Sequence, residues 1–207
     1  MKKLLVLLFS LFLISSPSVF ADDISDFEIE GISIGDSLLD YMTEDEILKQ
    51  IEVNKNRFLH LNKPNNYSQV DLYSGLQTYD SISFLIKNTS ANKYITDKNE
   101  KYSILYLRGL IDYNEDFDGC LKERDSVSEI FSEMVPNTLK TEYEIDYAPD
   151  PSGKSFIEAI ELKFSSKDEI ELQCLNIDET FRIKNNWSEG LSVSIANKEI
   201  LIWLQDY

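Results

Sequence analysis

The strongest constraint on the fold is a strict alternation of side chains in residues 139–147. Leu139, Thr141, Tyr143, Ile145 and Tyr147 alternate with charged residues without exception. Successive side chains of a β-strand point to opposite faces, so this pattern is typical of an antiparallel sheet with one face in water. The second half of the chain is therefore predicted to be built on antiparallel sheet.

Further strands are predicted from the same periodicity on both sides of this segment. Asp150 to Gly153 is a turn sequence, because proline fixes φ and glycine accepts positive φ. After that turn, strands are predicted at 156–164 and 170–174, and a final hairpin at 191–195 and 200–204. Before residue 139, strands are predicted at 27–34, either regular or bulged at Gly31, and at 70–73, 79–86 and 102–112.

Two amphipathic helical segments interrupt the strands. Thr43 and Glu46 form a capping-box pattern, which predicts two short helices or one broken helix over residues 37–52. A second helix is predicted after Cys120 and ends at Pro136, with one broad apolar face. The fold class is therefore α+β, with two amphipathic helices packed on a largely antiparallel sheet.

The domain organisation is predicted to be one α+β domain over residues 22–207. A helix followed by strands occurs twice, which raises the hypothesis of a tandem duplication with a boundary near residue 109. No linker rich in proline, glycine or serine separates the two halves, and this favours one continuous domain.

Residues 1–21 have the features of a signal peptide. Lys2 and Lys3 precede an apolar run from Leu4 to Ile14, and Ala21 stands at the predicted cleavage site. The run is shorter than the ~20 residues that a spanning helix needs, so no integral membrane segment is expected. The predicted location is periplasmic or secreted.

The charge of the chain restricts its partners. The 207 residues carry 37 acidic and 20 basic side chains, a net charge of −17. Such a surface repels phosphate backbones and anionic lipids, so binding to nucleic acid or electrostatic docking on membranes is not expected. A solvated acidic coat is the simplest interpretation of this excess.

Cys120 and Cys174 are the two cysteines, and they do not form a Cys-x-x-Cys pair. In an oxidising compartment an even pair predicts a structural disulfide, with two free thiols as the alternative. Closing a loop of about 55 residues should stabilise the fold by roughly 4 kcal/mol.

One segment has the spacing of a calcium loop. Asn114, Asp116 and Asp118 precede Gly119 as in the first half of an EF-hand loop, and Asp125 falls on its twelfth position. The alternative, which we favour, is a polar turn whose aspartates cap the following helix. Calcium is the one cofactor that the sequence suggests.

Catalytic constellations are hard to find in this sequence. Any triad must use His60, the one histidine, which we interpret as a packing or surface residue. No metal-ligating cluster or nucleophile elbow is evident, so a non-enzymatic role is favoured. A pair of carboxylates of the kind used by glycosidases remains open, because acidic residues abound.

The segment Ile29–Tyr41 and the strand–Cys120–helix unit resemble small exported, periplasmic proteins of marine alphaproteobacteria. The resemblance implies an exported location and no particular activity. Two hypotheses follow. The first is a non-enzymatic binding module for a protein or small ligand of the cell envelope, and the second is a periplasmic carboxylate-based hydrolase acting on envelope polysaccharide.

Overall fold

The structure is a computed structural model that describes residues 23–56, 61, 66–87 and 101–205. The predicted signal peptide and His60 lie outside these residues. Nine strands are described: β1 Glu28–Ile29, β2 Ile32–Ser33, β3 Tyr67–Leu72, β4 Ser81–Lys87, β5 Ile104–Asp112, β6 Leu139–Asp146, β7 Phe156–Lys163, β8 Glu169–Asn176 and β9 Gly190–Ala196. Seven of them form one antiparallel sheet in the order β3-β4-β5-β9-β8-β7-β6. The predicted α+β class is therefore confirmed.

Four α-helices accompany the strands in the described part of the chain. They are α1 Glu44–Asn54, α2 Phe117–Met134, α3 Glu179–Asn185 and α4 Lys198–Leu204. The predicted capping box is present, since Thr43 Oγ1 accepts from the Glu46 N–H and Glu46 accepts from the Thr43 N–H. None of the helices in the described residues is long and apolar enough to cross a membrane.

The predicted strand at 200–204 is wrong, because these residues belong to α4. Asn197 begins the helix by accepting the Ile200 N–H on its side-chain oxygen at 3.1 Å. Ile200 and Trp203, three residues apart, are then buried on the same side of the helix. An apolar run of this length fits either a strand or a helix, and the asparagine cap decides for the helix.

The predicted single strand over 27–34 is also wrong, since the chain reverses at Glu30 and Gly31. Both residues have positive φ, and β1 and β2 pair with each other across the turn.

Helix α3 was not predicted. The side chain of Asp178 caps the start of this helix by accepting hydrogen bonds from the N–H groups of Thr180 and Phe181. Aspartate is a preferred N-cap residue, so the sequence did contain a signal for the helix.

The two faces of the sheet have different compositions. One face, which we call the covered face, carries Leu107, Ile195, Ile170 and Leu162, which lie side by side on neighbouring strands. All four are buried. Helix α2 packs on this face, where Cys120 forms the predicted disulfide with Cys174 of β8.

The opposite face, which we call the open face, carries a row of polar side chains. Ser83, Arg108, Ser194 and Glu171 lie side by side on β4, β5, β9 and β8. Helix α4 packs at one end of this face through a separate apolar cluster. That cluster consists of Leu61, Tyr67, Leu85, Leu105, Ala196, Ile200 and Trp203.

The two edges of the sheet also differ. At the β3 edge, α1 supplies side-chain amides to the outer carbonyls: Gln50 donates to Asp71 O at 3.0 Å and Asn54 to Gln69 O at 3.1 Å. At the β6 edge the predicted strand is present, but its apolar side chains lie on the open face. Leu139 is 67% exposed and Ile145 46% exposed. The alternation thus predicted the strand correctly, although neither face of β6 is buried.

Residue 109, near which the hypothesis of a duplication set its boundary, lies inside β5. The strand pairs with β4 from the first half of the chain and with β9 from the second. On the covered face, a Cβ at Gly109 would stand 2.4 Å from the Tyr79 ring, so glycine permits this close contact. A boundary at residue 109 would therefore divide a single central strand.

Candidate functional site

Three of the four residues of the predicted calcium loop have side-chain hydrogen-bond partners within the protein. The side-chain oxygen of Asn114 accepts from the Glu189 N–H at 3.2 Å and from Arg182 Nη1 at 3.4 Å. Asp116 caps α2 by accepting the Gly119 N–H at 3.0 Å. This cap agrees with the favoured interpretation of the segment as a structural turn.

The other two predicted ligands lie in α2. Asp118 is exposed in the first turn, and Asp125 accepts from Arg124 Nη2 at 2.8 Å. Among the described residues, no three His, Cys, Asp or Glu side chains are grouped in a way that could hold a metal ion. The calcium site stays a prediction, and we place the candidate functional site elsewhere.

The centre of the open face is occupied by Arg108. Strand β5 aims Leu107 at the covered face and Arg108 at the open face, since neighbouring residues alternate. Arg108 is half-buried, opposite Ser83 on β4 and Ser194 on β9. Its Nε donates to Ser192 Oγ at 2.6 Å, which fixes the guanidinium against the sheet.

The guanidinium of Arg108 has no acidic partner in the described part of the chain. Within those residues, no carboxylate oxygen lies within the 4.0 Å of an ion pair, and Ser192 is the hydrogen-bond partner found. Half-buried charges are usually paired, because desolvation of an unpaired charge is costly. In a chain with 37 acidic residues, this arginine is therefore an exception.

Tyr147, whose side chain interacts electrostatically with Arg108, belongs to a group of three aromatic rings. Burial raises the pKa of Tyr147, and the positive charge of Arg108 opposes that rise. The Tyr147 ring meets Trp187 edge-on at 5.9 Å between centroids, and Phe181 meets the same indole at 5.2 Å. Tyr147, Phe181 and Trp187 form what we call the aromatic trio. Trp187 is the most exposed of the three.

Three glutamates lie beyond Arg108 on the open face. Glu161 and Glu171 are directly opposite each other on β7 and β8, and Tyr143 donates its hydroxyl hydrogen bond to Glu171. Lys163 contacts Glu161 at 2.6 Å and Glu169 at 3.4 Å. Burial raises the pKa of Glu169, and the charges of Glu161 and Glu171 raise it further.

The open face therefore combines a cation, aromatic surface and a carboxylate cluster. Its guanidinium can bind a carboxylate or phosphate through two parallel hydrogen bonds. Sequence reasoning missed Arg108, although one signal was present. In the apolar run from Ile104 to Ile111, Arg108 is the one charged residue, at a position that alternation assigns to the less apolar face.

Comparisons with protein-family models, with curated proteins and with solved structures found no match. The candidate site therefore rests on the geometry of the open face.

Proposed function

We propose that the protein is a non-enzymatic binding module whose open face holds an anionic group of its ligand on Arg108. One observation carries the proposal: a half-buried arginine without a carboxylate partner among the described residues of a strongly acidic protein. An incoming carboxylate would supply the pairing that the described residues do not. The Ser192 hydrogen bond holds the guanidinium in place before binding, which reduces the entropy lost on complex formation.

The aromatic trio favours a ligand that carries a ring next to its anionic group. Aromatic side chains bind the apolar faces of sugar and aromatic rings, and Trp187 exposes part of its indole beside Tyr147. Exposed Ile145 continues this apolar surface along β6. The class of ligand that fits is a ring-bearing carboxylic acid, such as a sugar acid or an aromatic acid.

The net charge of −17 influences how such a ligand binds. The overall field repels an anion at long range, and salt screens that repulsion with a Debye length of about 8 Å at 0.15 M. Binding must therefore depend on short contacts at Arg108. We expect affinity for a carboxylate to change little with added salt, because screening weakens both the repulsion and the attraction.

We propose that the module works in the periplasm or outside the cell. The signal-peptide pattern of residues 1–21 supports this location, and the Cys120–Cys174 disulfide is compatible with an oxidising compartment. Its ligand would then be a component of the cell envelope or of the medium.

Isothermal titration calorimetry with benzoate, glucuronate and acetate tests the proposed function. We expect benzoate and glucuronate to bind more tightly than acetate, and Arg108→Gln to abolish binding of all three. Lys55→Gln removes an equal charge from an exposed residue just after α1 and should bind as the wild type does. Equal binding by wild type and Arg108→Gln would contradict the proposal.

A second candidate function is supported by the carboxylate cluster. Burial and the charges of Glu161 and Glu171 raise the pKa of Glu169, so a carboxyl group with a raised pKa lies beside two other carboxyl groups. That combination is what glycoside hydrolysis uses. If the protein is a hydrolase of envelope polysaccharide, Glu169→Gln abolishes release of dye from a labelled polysaccharide, and exposed Glu142→Gln does not. No release by the wild type would exclude the polysaccharide tested.

A further inference from the structure

Strand β6 forms one edge of the seven-stranded sheet. It pairs with β7 on one side, seven of its eight residues are exposed, and Tyr143 is half-buried. On the other side, no described residue donates to or accepts from the β6 backbone. In an antiparallel edge strand, alternate N–H and C=O groups point outwards and can pair with another strand.

We propose that a second copy of this chain pairs with β6 through its own β6, antiparallel and about a two-fold axis at Glu142. Each copy would contribute its seven strands to one continuous antiparallel sheet. The axis is perpendicular to the sheet, so the open faces of both copies lie on the same side. The proposal does not depend on the function of Arg108.

The sequence of β6 is complementary to itself in this register. Leu139 lies opposite Ile145 of the second copy, and Thr141 lies opposite Tyr143. On the other face, Lys140 lies opposite Glu144. Each of these pairs occurs twice because of the two-fold axis. Apolar, aromatic and opposite-charge pairs of this kind are the units that stabilise neighbouring strands. The one like-charge contact is Glu142 with its own copy.

Neighbouring registers are less favourable. An axis at Tyr143 sets Glu142 opposite Glu144 twice, which adds a second like-charge contact. An axis at Thr141 sets Lys140 opposite Glu142 without a like-charge contact, but it pairs only residues 139–143 of the strand and leaves Ile145 opposite Asn137, outside the strand. Registers that set odd residues opposite even ones bring Lys140 against Ile145, so that charged side chains face apolar ones. Pairing rules therefore select the axis at Glu142.

Charged side chains often protect an edge strand from association. Here the charges on β6 have both signs: Lys140 contacts Glu142 of its own strand at 3.2 Å and also lies opposite Glu144 of the second copy in the selected register. The net charge of −17 on each copy opposes association at low salt. We therefore expect a concentration-dependent dimer that becomes tighter when salt is added to screen that repulsion.

Sedimentation equilibrium of the purified protein, from micromolar to millimolar concentration, tests the proposal through charge exchange. We expect Lys140→Glu and Glu144→Lys each to weaken the dimer about tenfold, because both set like charges opposite each other. The double variant, Lys140→Glu with Glu144→Lys, has the same net charge as the wild type. It again sets opposite charges against each other at positions 140 and 144, so it should associate as the wild type does. An equal mixture of the two single variants should form a heterodimer.

Glu144→Lys separates the proposed register from a general charge effect. It lowers the net negative charge, so non-specific repulsion decreases, yet the register predicts weaker association. Glu142→Gln removes the like-charge contact at the axis and should strengthen the dimer. Circular dichroism checks that each variant is folded, which is expected because these side chains are exposed. The proposal would be overturned if the wild type and Glu142→Gln both stay monomeric. It would also be overturned if the single variants associate as strongly as the double variant.

Discussion

Two arginines lie on opposite faces of the sheet and have opposite surroundings. Arg124, on α2 at the covered face, is buried and contacts Asp125 at 2.8 Å and Glu158 at 3.4 Å. Arg108, on the open face, is half-buried and bonds to Ser192, with no ion pair to any described carboxylate. The guanidinium of Arg124 is thus neutralised by carboxylates, whereas that of Arg108 is not paired with any described carboxylate.

The difference separates a structural charge from a candidate binding charge. Arg124 links α2 to β7, because Glu158 belongs to that strand, and the Cys120–Cys174 disulfide links the same helix to β8. The covered face is therefore held together by an ion pair, a covalent bond and a buried apolar layer. The open face has a fixed guanidinium whose remaining N–H groups can bind an external acceptor. Four predictions test this contrast.

The largest effect is expected from removing the disulfide. The bridge closes a loop with a sequence separation of 54 residues, so Cys120→Ser/Cys174→Ser should lower the free energy of unfolding by roughly 4 kcal/mol. Urea denaturation followed by circular dichroism measures the change. At low urea the folded variant should still bind benzoate, because the bridge lies on the covered face. An unchanged denaturation midpoint would show that the bridge adds no stability.

Arg124→Met should destabilise the fold by about 1–3 kcal/mol, because it removes a buried donor and leaves Glu158 without its cation. Urea denaturation again gives the free energy of unfolding. Lys122→Met, on the exposed side of the same helix, is the matched control and should change it by less than about 0.5 kcal/mol. Equal effects of the two substitutions would show that Arg124 is not structural.

Glu169→Gln on the open face should stabilise the protein at neutral pH. The pKa of Glu169 is raised in the folded state by burial and by two neighbouring glutamates, so its ionised form costs stability. That cost is present above the raised pKa and disappears as the pH falls below the ordinary value near 4.3. When the free energy of unfolding is measured against pH, Glu169→Gln should therefore exceed the wild type by a few tenths of a kcal/mol at pH 7. The variant and the wild type should converge in acid, and a variant less stable at pH 7 would contradict this account of the cluster.

The smallest effect on stability is expected for Arg108→Gln. The glutamine amide can still donate to Ser192, and no ion pair with a described residue is lost. We expect the free energy of unfolding to stay within about 0.5 kcal/mol of the wild type. A loss as large as that of Arg124→Met would show that Arg108 is structural as well, and the contrast between the two faces would fail.

Local patterns in the sequence predicted much of the fold. The alternation at 139–147 predicted β6, the Thr43–Glu46 pair predicted the start of α1, and the two cysteines predicted their bridge. The same reasoning failed at 200–204, where an apolar run fits either a helix or a strand and a cap decides.

The candidate site could not be predicted in the same way. Arg108 became a candidate because β5 sits between β4 and β9, which surrounds it with serines. Strand order is a property of the whole chain, and neither composition nor periodicity specifies it. The exposure of Leu139 and Ile145 follows from the same order, since β6 is at the edge of the sheet.

The most direct test of the binding function is to observe both arginines in one experiment. Nuclear magnetic resonance of the arginine Nε–H groups during a benzoate titration reports Arg108 and Arg124 in the same sample. We predict a saturable shift of the Arg108 signal and a constant Arg124 signal, with the Arg108 signal absent in Arg108→Gln. An Arg108 signal that stays constant up to millimolar benzoate and glucuronate would contradict the proposed binding site.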